Sequence, residues 1–219
     1  IDLKQGKSMR NTILQEIIFH GDRGVIVPIN RLQDLKNDFD AFQSSEDLSG
    51  FQKYIINQLF SFTLPEVDFQ IRSILLVATP SPAMTRIFFN HGGKRFPLIL
   101  PATYIHPNAS QNAVEDYLKV FLEQRGYHLK RADNIPYKRL AVCSGLACYG
   151  RNNITYIEGL GSFYILVSFF SDLSVQDSEW HEPYILDECT RCSACRNVCP
   201  THAISHERFL IYSDRCLTH

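Results

Sequence analysis

The sequence predicts an α+β fold in which helices cover a sheet, followed by a small cysteine-rich segment. Segments with apolar residues every three or four positions alternate with short apolar runs, the pattern of mixed helices and strands. Two of the apolar runs flank a Gly-Gly turn and so indicate a hairpin. The apolar strands end near residue 175, where a polar stretch and then a group of cysteines follow. We therefore predict two domains, residues 1–180 and 181–219.

The first half of the chain contains helix and strand patterns in turn. Apolar positions 13, 14, 17 and 18, followed by Gly21, predict a first helix. Residues 24–29 (GVIVPI) predict a short strand, and the three-four spacing predicts helices over residues 31–42 and 50–62. Residues 72–80 (RSILLVATP) form a continuous apolar run ending in proline, which suits a buried strand.

The second half begins with the hairpin, residues 85–100, whose aromatic residues Phe88, Phe89 and Phe96 we expect in the sheet core. Residues 111–126 (QNAVEDYLKVFLEQRG) predict an amphipathic helix that stops at Gly126. A strand over residues 127–133 follows. Residues 153–170 predict two strands around Gly159-Leu160-Gly161.

Composition excludes some classes of protein. Hydrophobic residues make up 45% of the 219, enough for a core, and the net charge is −1. Because the chain has no excess of basic residues, the sequence gives no strong signal for nucleic-acid binding. The longest apolar stretch, residues 163–170 (FYILVSFF), is too short to span a bilayer, so we expect no membrane association.

The strongest motif is "CTRCSACRNVCP", in which Cys189, Cys192, Cys195 and Cys199 precede Pro200. This spacing is that of bacterial ferredoxins, in which the first three cysteines bind one iron–sulfur cluster and the fourth binds another. A zinc site would favour two separate pairs, and a disulfide scaffold would favour a short secreted chain. The motif therefore predicts a 4Fe-4S site, and oxygen-sensitive thiolates predict a reducing cytoplasm.

The number of cysteines leaves the cluster count open. Each 4Fe-4S cluster takes four cysteines, but only five occur from Cys189 onward, the last being Cys216. One expectation is two clusters, with the natural protein continuing past His219 to supply further ligands. The alternative is one cluster closed by Cys199 or Cys216. About eight irons per chain would indicate two clusters and about four would indicate one.

A second motif is the small-residue loop Ser144-Gly145-Leu146 and Tyr149–Asn153, which lies between apolar segments. Glycines allow a backbone to approach a flat ligand closely, and Arg151 could hold polar groups of that ligand. A plain helix end and turn would explain the same residues. Cys143 and Cys148 lie in this loop. They could be a cluster ligand or a redox pair, but we interpret them as buried small hydrophobes.

Together these motifs resemble epoxyqueuosine reductase and its relatives, the cobalamin-dependent iron–sulfur reductases that include reductive dehalogenases. The resemblance covers residues 72–216 and consists of Asp133 with Pro136, "SGLACYGRNN", "GSFYILVSFFSDL", "CTRCSACRNVCPTHAI" and "DRC". It implies a nitroreductase-like, cobalamin-binding domain followed by a double-cluster ferredoxin module. Electrons would pass from the clusters to cobalt and then to a small organic group.

The resemblance also assigns residue roles. Asp133 would be the catalytic proton donor, although the order Asp-Asn-Ile-Pro also suits a helix N-cap. The metal ligands would be Cys189, Cys192, Cys195, Cys199 and Cys216. Residues along the cobalamin would be Ser144, Gly145, Leu146, Gly150, Arg151, Asn152 and Ser162.

Departures from the family point to an outlying paralogue. Arg139 stands where close relatives of the tRNA enzyme often have glutamate, and Ala147-Cys148-Tyr149 replaces Gly-Trp-Ile. The resemblance implies an external electron donor such as ferredoxin or flavodoxin, and a small-molecule or modified-nucleoside substrate. The alternatives are an electron carrier or corrinoid-reactivating protein without substrate chemistry, and a degenerate member that has lost cobalamin.

Overall fold

The computed structural model describes residues 2–45, 48–81, 84–101, 106, 108–176, 179–205 and 211–217. In these ranges helices and strands alternate irregularly, as the sequence predicts. The helices are α1 (Asp2–Phe19), α2 (Arg31–Ser45), α3 (Gly50–Tyr54), α4 (Ala109–Glu123), α5 (Tyr137–Cys143), α6 (Asp187–Arg191) and α7 (Ala194–Asn197). The strands are β1 (Arg23–Pro28), β2 (Ser73–Pro80), β3 (Thr85–His91), β4 (Lys94–Leu100), β5 (Leu129–Arg131), β6 (Cys148–Tyr149), β7 (Thr155–Tyr156) and β8 (Tyr164–Ser171).

The central sheet is antiparallel, with strand order β1-β2-β8-β5. Side chains alternate between the two faces of β2, and both faces are buried. Ile74, Leu76 and Ala78 pack with α2 and α5, whereas Leu75 and Val77 pack with α1 and α4. The sheet is therefore covered by helices on both faces, and this explains why β2 is apolar at nearly every position.

Helix α3 contacts residues near the C-terminal end of the described chain. A capping box begins it: the Gln52 N–H donates to Ser49 Oγ at 3.2 Å, and Ser49 N–H donates to Gln52 Oε1 at 3.1 Å. The Gln52 amide also donates to the Ile211 carbonyl, 3.3 Å away. After Tyr54 the helix continues as a π-helical turn, Ile55–Leu59, and ends there rather than at residue 62 as predicted.

The predicted hairpin forms, but its aromatic residues are not in a core. Strands β3 and β4 pair in register from Thr85–Leu100 to His91–Lys94, and among the described residues they pair only with each other. Phe88, Phe89 and Phe96 are 48%, 45% and 39% exposed. The expectation that they fill the sheet core is therefore wrong, because in the described part of the chain this hairpin forms a sheet of its own and leaves the three rings exposed.

The two strands predicted within residues 153–170 also form, but in different sheets. Strand β7 pairs with β6, which lies in the predicted loop, whereas β8 is a central strand of the main sheet. The glycine turn between them is present, with Gly159 and Gly161 at positive φ. No described helix has both the length and the apolar character needed to cross a membrane. The boundary near residue 180 stays a prediction.

Candidate active site and cysteine segment

A large cavity lies between α2, the α3 region and the residues that follow β5. Its volume is about 630 Å³. Its apolar wall comes from α2 and from α3 with its π-helical turn, and a second wall comes from residues 133–139. Ile211 and Ser213, which precede Cys216, complete its border. The apolar wall consists of Phe39, Phe42, Ile55, Ile56, Leu59 and Phe60.

Asp133 lies on the wall of this cavity, in the turn after β5. Its backbone is fixed from both sides: the Ala132 carbonyl accepts from Ser168 Oγ at 2.8 Å and from the Tyr137 hydroxyl at 3.0 Å. On the other side, the Asn134 carbonyl accepts from the Ser61 N–H at 2.7 Å. The position of Asp133 is thus set by hydrogen bonds that the carbonyls of its two neighbours accept from three parts of the fold.

The Asp133 side chain is 67% exposed, and its Oδ1 lies 3.5 Å from Arg131 Nε. It does not cap α5. Pro136 occupies the N-cap position of that helix, and no side chain forms a capping bond there. The N-cap interpretation of Asp133 is therefore wrong, and the Asp133 carboxylate does not stabilise the start of α5.

Other charged groups on the cavity wall are held by partners. Arg139 Nε lies 3.0 Å from Asp38 Oδ2, so the arginine that departs from the family pattern forms an ion pair with α2. Lys138 Nζ donates to the Asn153 carbonyl at 3.2 Å, and the loss of solvent around its ammonium group lowers the pKa of Lys138. These contacts tie α5 to α2 and to the loop before β7.

The glycine loop begins as the end of α5. Gly145 has a φ of +76°, and its N–H donates to the Val142 carbonyl, while the Ala147 N–H donates to the Ala141 carbonyl. This is the geometry of a helix stop, which glycine adopts without strain. A Cβ on Gly145 would also lie 3.2 Å from the His181 ring. The helix-end interpretation therefore explains Gly145 fully.

The remaining residues assigned to the cobalamin also have structural contacts. Ser144 Oγ donates to the Ala141 carbonyl, and Asn152 Oδ1 accepts from the Ile154 N–H. A Cβ on Gly150 would lie 2.6 Å from the Tyr156 ring and 2.7 Å from Asn152 Oδ1, so a larger residue there would displace these side chains. Leu146 packs on the core beside α5, and Ser162 is exposed. Together with Gly145 and Arg151 these are the seven assigned residues, and none lines the cavity above or a smaller polar cavity at Gln111 and Arg131.

The loop instead contacts the chain that leads into the cysteines. Arg151 donates to the Cys189 carbonyl from Nη2 at 2.9 Å and from Nε at 3.2 Å. Main-chain bonds join His181 N–H to the Cys143 carbonyl, and Tyr149 to both Tyr184 and Leu186. The loop and the cysteine segment are thus joined along several residues.

The cysteine segment folds as two short helices. Cys189 lies in α6 and Cys195 in α7, Cys192 is exposed between them, and Cys199 follows α7. A bond with the Thr201 hydroxyl, helped by the backbone N–H groups of residues 201, 203 and 204, lowers the pKa of Cys199 and favours its thiolate. Cys216 follows a short 3-10 turn, Ser213–Arg215.

These thiols have the chemistry that an iron–sulfur cluster requires, since soft thiolates are its ordinary ligands. Within the described ranges, however, the structure brings no three Cys, His, Asp or Glu side chains together in a metal-binding arrangement. The cysteine sulfurs are thus the type of donor atom that an iron–sulfur cluster needs.

The two loop cysteines differ from the predicted ligands. Cys143 is fully buried, and burial raises its pKa to about 12, so it remains a thiol. Cys148 is half-buried, and its pKa is raised by burial and then by the nearby Glu188 and Cys189. The interpretation of Cys143 as a buried small hydrophobe is confirmed.

Sequence reasoning missed most of the cavity wall. Phe39 and Phe42 continue the apolar face of α2 past the sheet, and nothing in the sequence separates them from core positions. A polar cavity of about 270 Å³ on the other side of Asp133, reached by Gln111 and Arg131, was also missed. Its residues lie far apart in the chain, and only the fold brings them together.

Comparison with known proteins identifies the cysteine segment and the fold. Residues 182–205 match the 4Fe-4S binding domain. The tetrachloroethene reductive dehalogenase of Desulfitobacterium hafniense is 26% identical over 118 residues, which is 51% of this chain and 21% of the dehalogenase. The epoxyqueuosine reductase of Cyclobacterium marinum is 28% identical over 113 residues, covering 50% of this chain and 35% of the reductase.

Among solved structures, a Bacillus subtilis epoxyqueuosine reductase with an aspartate-bearing catalytic loop swung out of the active site matches 94% of this chain. The TM-score is 0.55 and the identity 16%. The fold is that of epoxyqueuosine reductase. The chain covers 56% of that epoxyqueuosine reductase chain and a smaller share of the two relatives above. The epoxyqueuosine reductase fold and the 4Fe-4S segment confirm the resemblance inferred from the motifs.

Proposed function

We propose that this chain belongs to a reductase in which a 4Fe-4S cluster supplies electrons to a cobalamin for the reduction of a small organic group. One observation carries the proposal: a single cavity is bordered by Asp133 and by Ser213, three residues before Cys216. The proposed acid and the segment that leads to Cys216, a predicted cluster ligand, thus border the same cavity. Its partner would be an external low-potential electron donor such as ferredoxin or flavodoxin.

The cavity suits one face of a corrin ring. Its aromatic and aliphatic wall favours a flat apolar surface, and the polar groups of residues 133–139 and Asn153 are placed to meet amide side chains at the edge of such a ring. At about 630 Å³ it has the size of a pocket for a drug-sized ligand, so it would hold part of a cobalamin rather than enclose one. When bound, the cobalamin supplies the electron chemistry, and the protein orients the reactants.

Asp133 would act as the acid, giving the proton of its carboxyl group to the substrate. Its exposed side chain sits on a turn whose backbone is fixed, so substrate can reach it without displacing core residues. Reduction of a carbon–chlorine bond consumes electrons and a proton and releases chloride. Reduction of an epoxide to an alkene consumes electrons and protons and releases water. Both need an acid beside the reacting carbon or oxygen.

The test compares Asp133→Asn with Asp40→Asn, an exposed carboxylate paired with Lys36 on α2. Reconstituted protein would be reduced with titanium(III) citrate and offered tetrachloroethene or cyclopentene oxide. We expect Asp133→Asn to lose turnover by about 100-fold or more, the usual contribution of general acid catalysis. Asp40→Asn should keep it, and both variants should keep their cofactors. Full turnover by Asp133→Asn would contradict the assignment.

A visible spectrum with added cobalamin tests the cofactor separately. Tight binding in the base-off form supports the reductase. Cluster absorbance without any corrinoid binding would instead favour an electron carrier, and would contradict the proposal before any substrate is chosen.

A further inference from the structure

A second cavity adjoins the first at Asp133 and Tyr137, which line both. Its volume is about 270 Å³, and its wall is mostly polar. Asp133 therefore stands between a large apolar space and a small polar one. The remaining lining residues of the small cavity are Asn108, Gln111, Arg131, Leu166 and Val167.

The two charged side chains that line this cavity, Arg131 and Asp133, lie close to each other. Arg131 Nε lies 3.5 Å from Asp133 Oδ1, and Arg131 Nη1 lies 3.2 Å from Glu115 Oε2 and 3.1 Å from Asn112 Oδ1. An anion entering the cavity would meet the Asp133 carboxylate, and a cation would meet the Arg131 guanidinium. The wall therefore favours a neutral ligand over either ion.

Gln111 offers a hydrogen-bond acceptor that the protein does not use. Its Oε1 is buried and has no hydrogen-bond partner among the described residues. A buried acceptor without a donor is costly, and native structures keep few of them. Asn108, at the start of the same helix, forms no side-chain capping bond with α4. The Gln111 Oε1 at this cavity is thus available to a ligand.

We propose that the polar cavity binds an uncharged hydroxyl- or amide-bearing part of the substrate, which donates a hydrogen bond to Gln111. This rests on the proposed function, because it places the reacting group at Asp133 between the two cavities. The cavity is smaller than a typical drug-sized pocket and so takes a group of a few heavy atoms. Gln111 is a specificity residue here, and Asp133 remains the acid.

The test uses small probes and requires neither cofactor nor turnover. Acetamide and ethylene glycol would be titrated against the ¹⁵N-labelled chain and compared with acetate and methylammonium. We expect saturable shifts of the Gln111 side-chain amide signal with the two neutral probes only. Gln111→Leu should weaken their binding by about tenfold, as expected for one lost buried hydrogen bond. The matched control is Gln124→Leu, an exposed position at the end of the same helix, which should change nothing.

Equal binding by Gln111→Leu, or stronger binding of acetate or methylammonium, would overturn the proposal. Gln111→Met gives a second variant should the leucine variant unfold, which thermal melting would reveal. If the proposed reductase function were disproved, the expected result of these titrations would stay the same. The two proposals therefore fail separately.

Discussion

Asn134, the neighbour of Asp133, has a left-handed backbone conformation with a φ of +67°. Its carbonyl also accepts the Ser61 N–H, so the conformation is fixed by a tertiary bond. Asparagine tolerates this region better than most residues, and glycine tolerates it without strain. The precision of the Asp133 turn therefore depends on a residue that makes no contact with substrate in the proposed mechanism.

We expect Asn134→Val to lower the free energy of unfolding by about 1–2 kcal/mol, the cost of a left-handed conformation for a residue with a Cβ branch. Asn134→Gly should change it little. Urea unfolding of both variants measures the difference. Equal destabilisation by valine and glycine would show that φ is not the cause.

His128 is the residue for which the structure predicts a pH dependence. Its Nδ1 lies 2.7 Å from Asp172 Oδ2, and this hydrogen bond raises the pKa of His128 above its ordinary 6.5. The stabilisation is therefore fully present below about pH 6.5 and is lost as the pH rises through the higher pKa of the folded state.

We expect the stability difference between the wild type and His128→Asn to shrink from about pH 6 to about pH 9. Urea unfolding across this range measures it. Asp172→Asn should remove the pH dependence, because the neutral amide no longer favours the charged imidazole. A difference that stays constant with pH would rule out this ion pair as the cause.

At the scale of elements, the β3–β4 hairpin is the part least supported by the rest of the fold. Its strands pair with each other only, as far as the structure describes them, and a lone two-stranded hairpin is marginally stable in water. Stacking of Phe89 on Phe96, with ring centroids 5.2 Å apart, and of Arg95 over Phe88 holds it together locally. The core of the sheet does not need it.

Replacing Thr85–Leu100 with a short Gly-Ser linker should therefore leave the central sheet folded. We expect the thermal midpoint to change by less than about 3 °C, equivalent to under about 1 kcal/mol for a chain of this size. Circular dichroism melting measures this. A non-cooperative melt would mean that the hairpin stabilises β2 or β8 after all.

Most helices and strands could be predicted from the sequence, because the spacing of apolar residues shows which side of a single segment is buried. The apolar run of β2 and the three-four spacing of α4 needed no tertiary information. Periodicity does not report which surfaces meet, so the exposure of Phe88 and the separate sheets of β7 and β8 were not predictable. Likewise, the sequence does not distinguish Gln111 from other polar residues of an amphipathic helix, and only the fold places it at the same cavity as Asp133.

At the scale of the whole molecule, the cysteines fall into two chemical groups. Cys192 is exposed in the segment that matches the 4Fe-4S domain, whereas Cys143 is buried with a pKa raised to about 12. Only the thiolate binds metal, so Cys143 is unsuited to be a ligand. The spacing predicted the first group from sequence, but the burial of the second depends on the packing of α5.

We expect Cys192→Ser to lose most of the visible cluster absorbance after anaerobic reconstitution with iron and sulfide. Cys143→Ser is the matched control and should retain it, because the thiol it removes lies in the core. Iron and sulfide analysis of both variants gives the stoichiometry. Equal loss of iron in the two variants would contradict the assignment of the ligands.

The junction between the glycine loop and the cysteine segment is made largely by peptide groups: the N–H groups of Tyr149, His181 and Leu186 all donate across it. Such a junction is indifferent to most side-chain replacements, since any residue but proline brings the same donor. The amino-acid sequences on both sides of the junction can therefore diverge during evolution while the glycine loop and the cysteine segment stay joined. This offers a physical reason why so distant a relative can preserve one overall architecture.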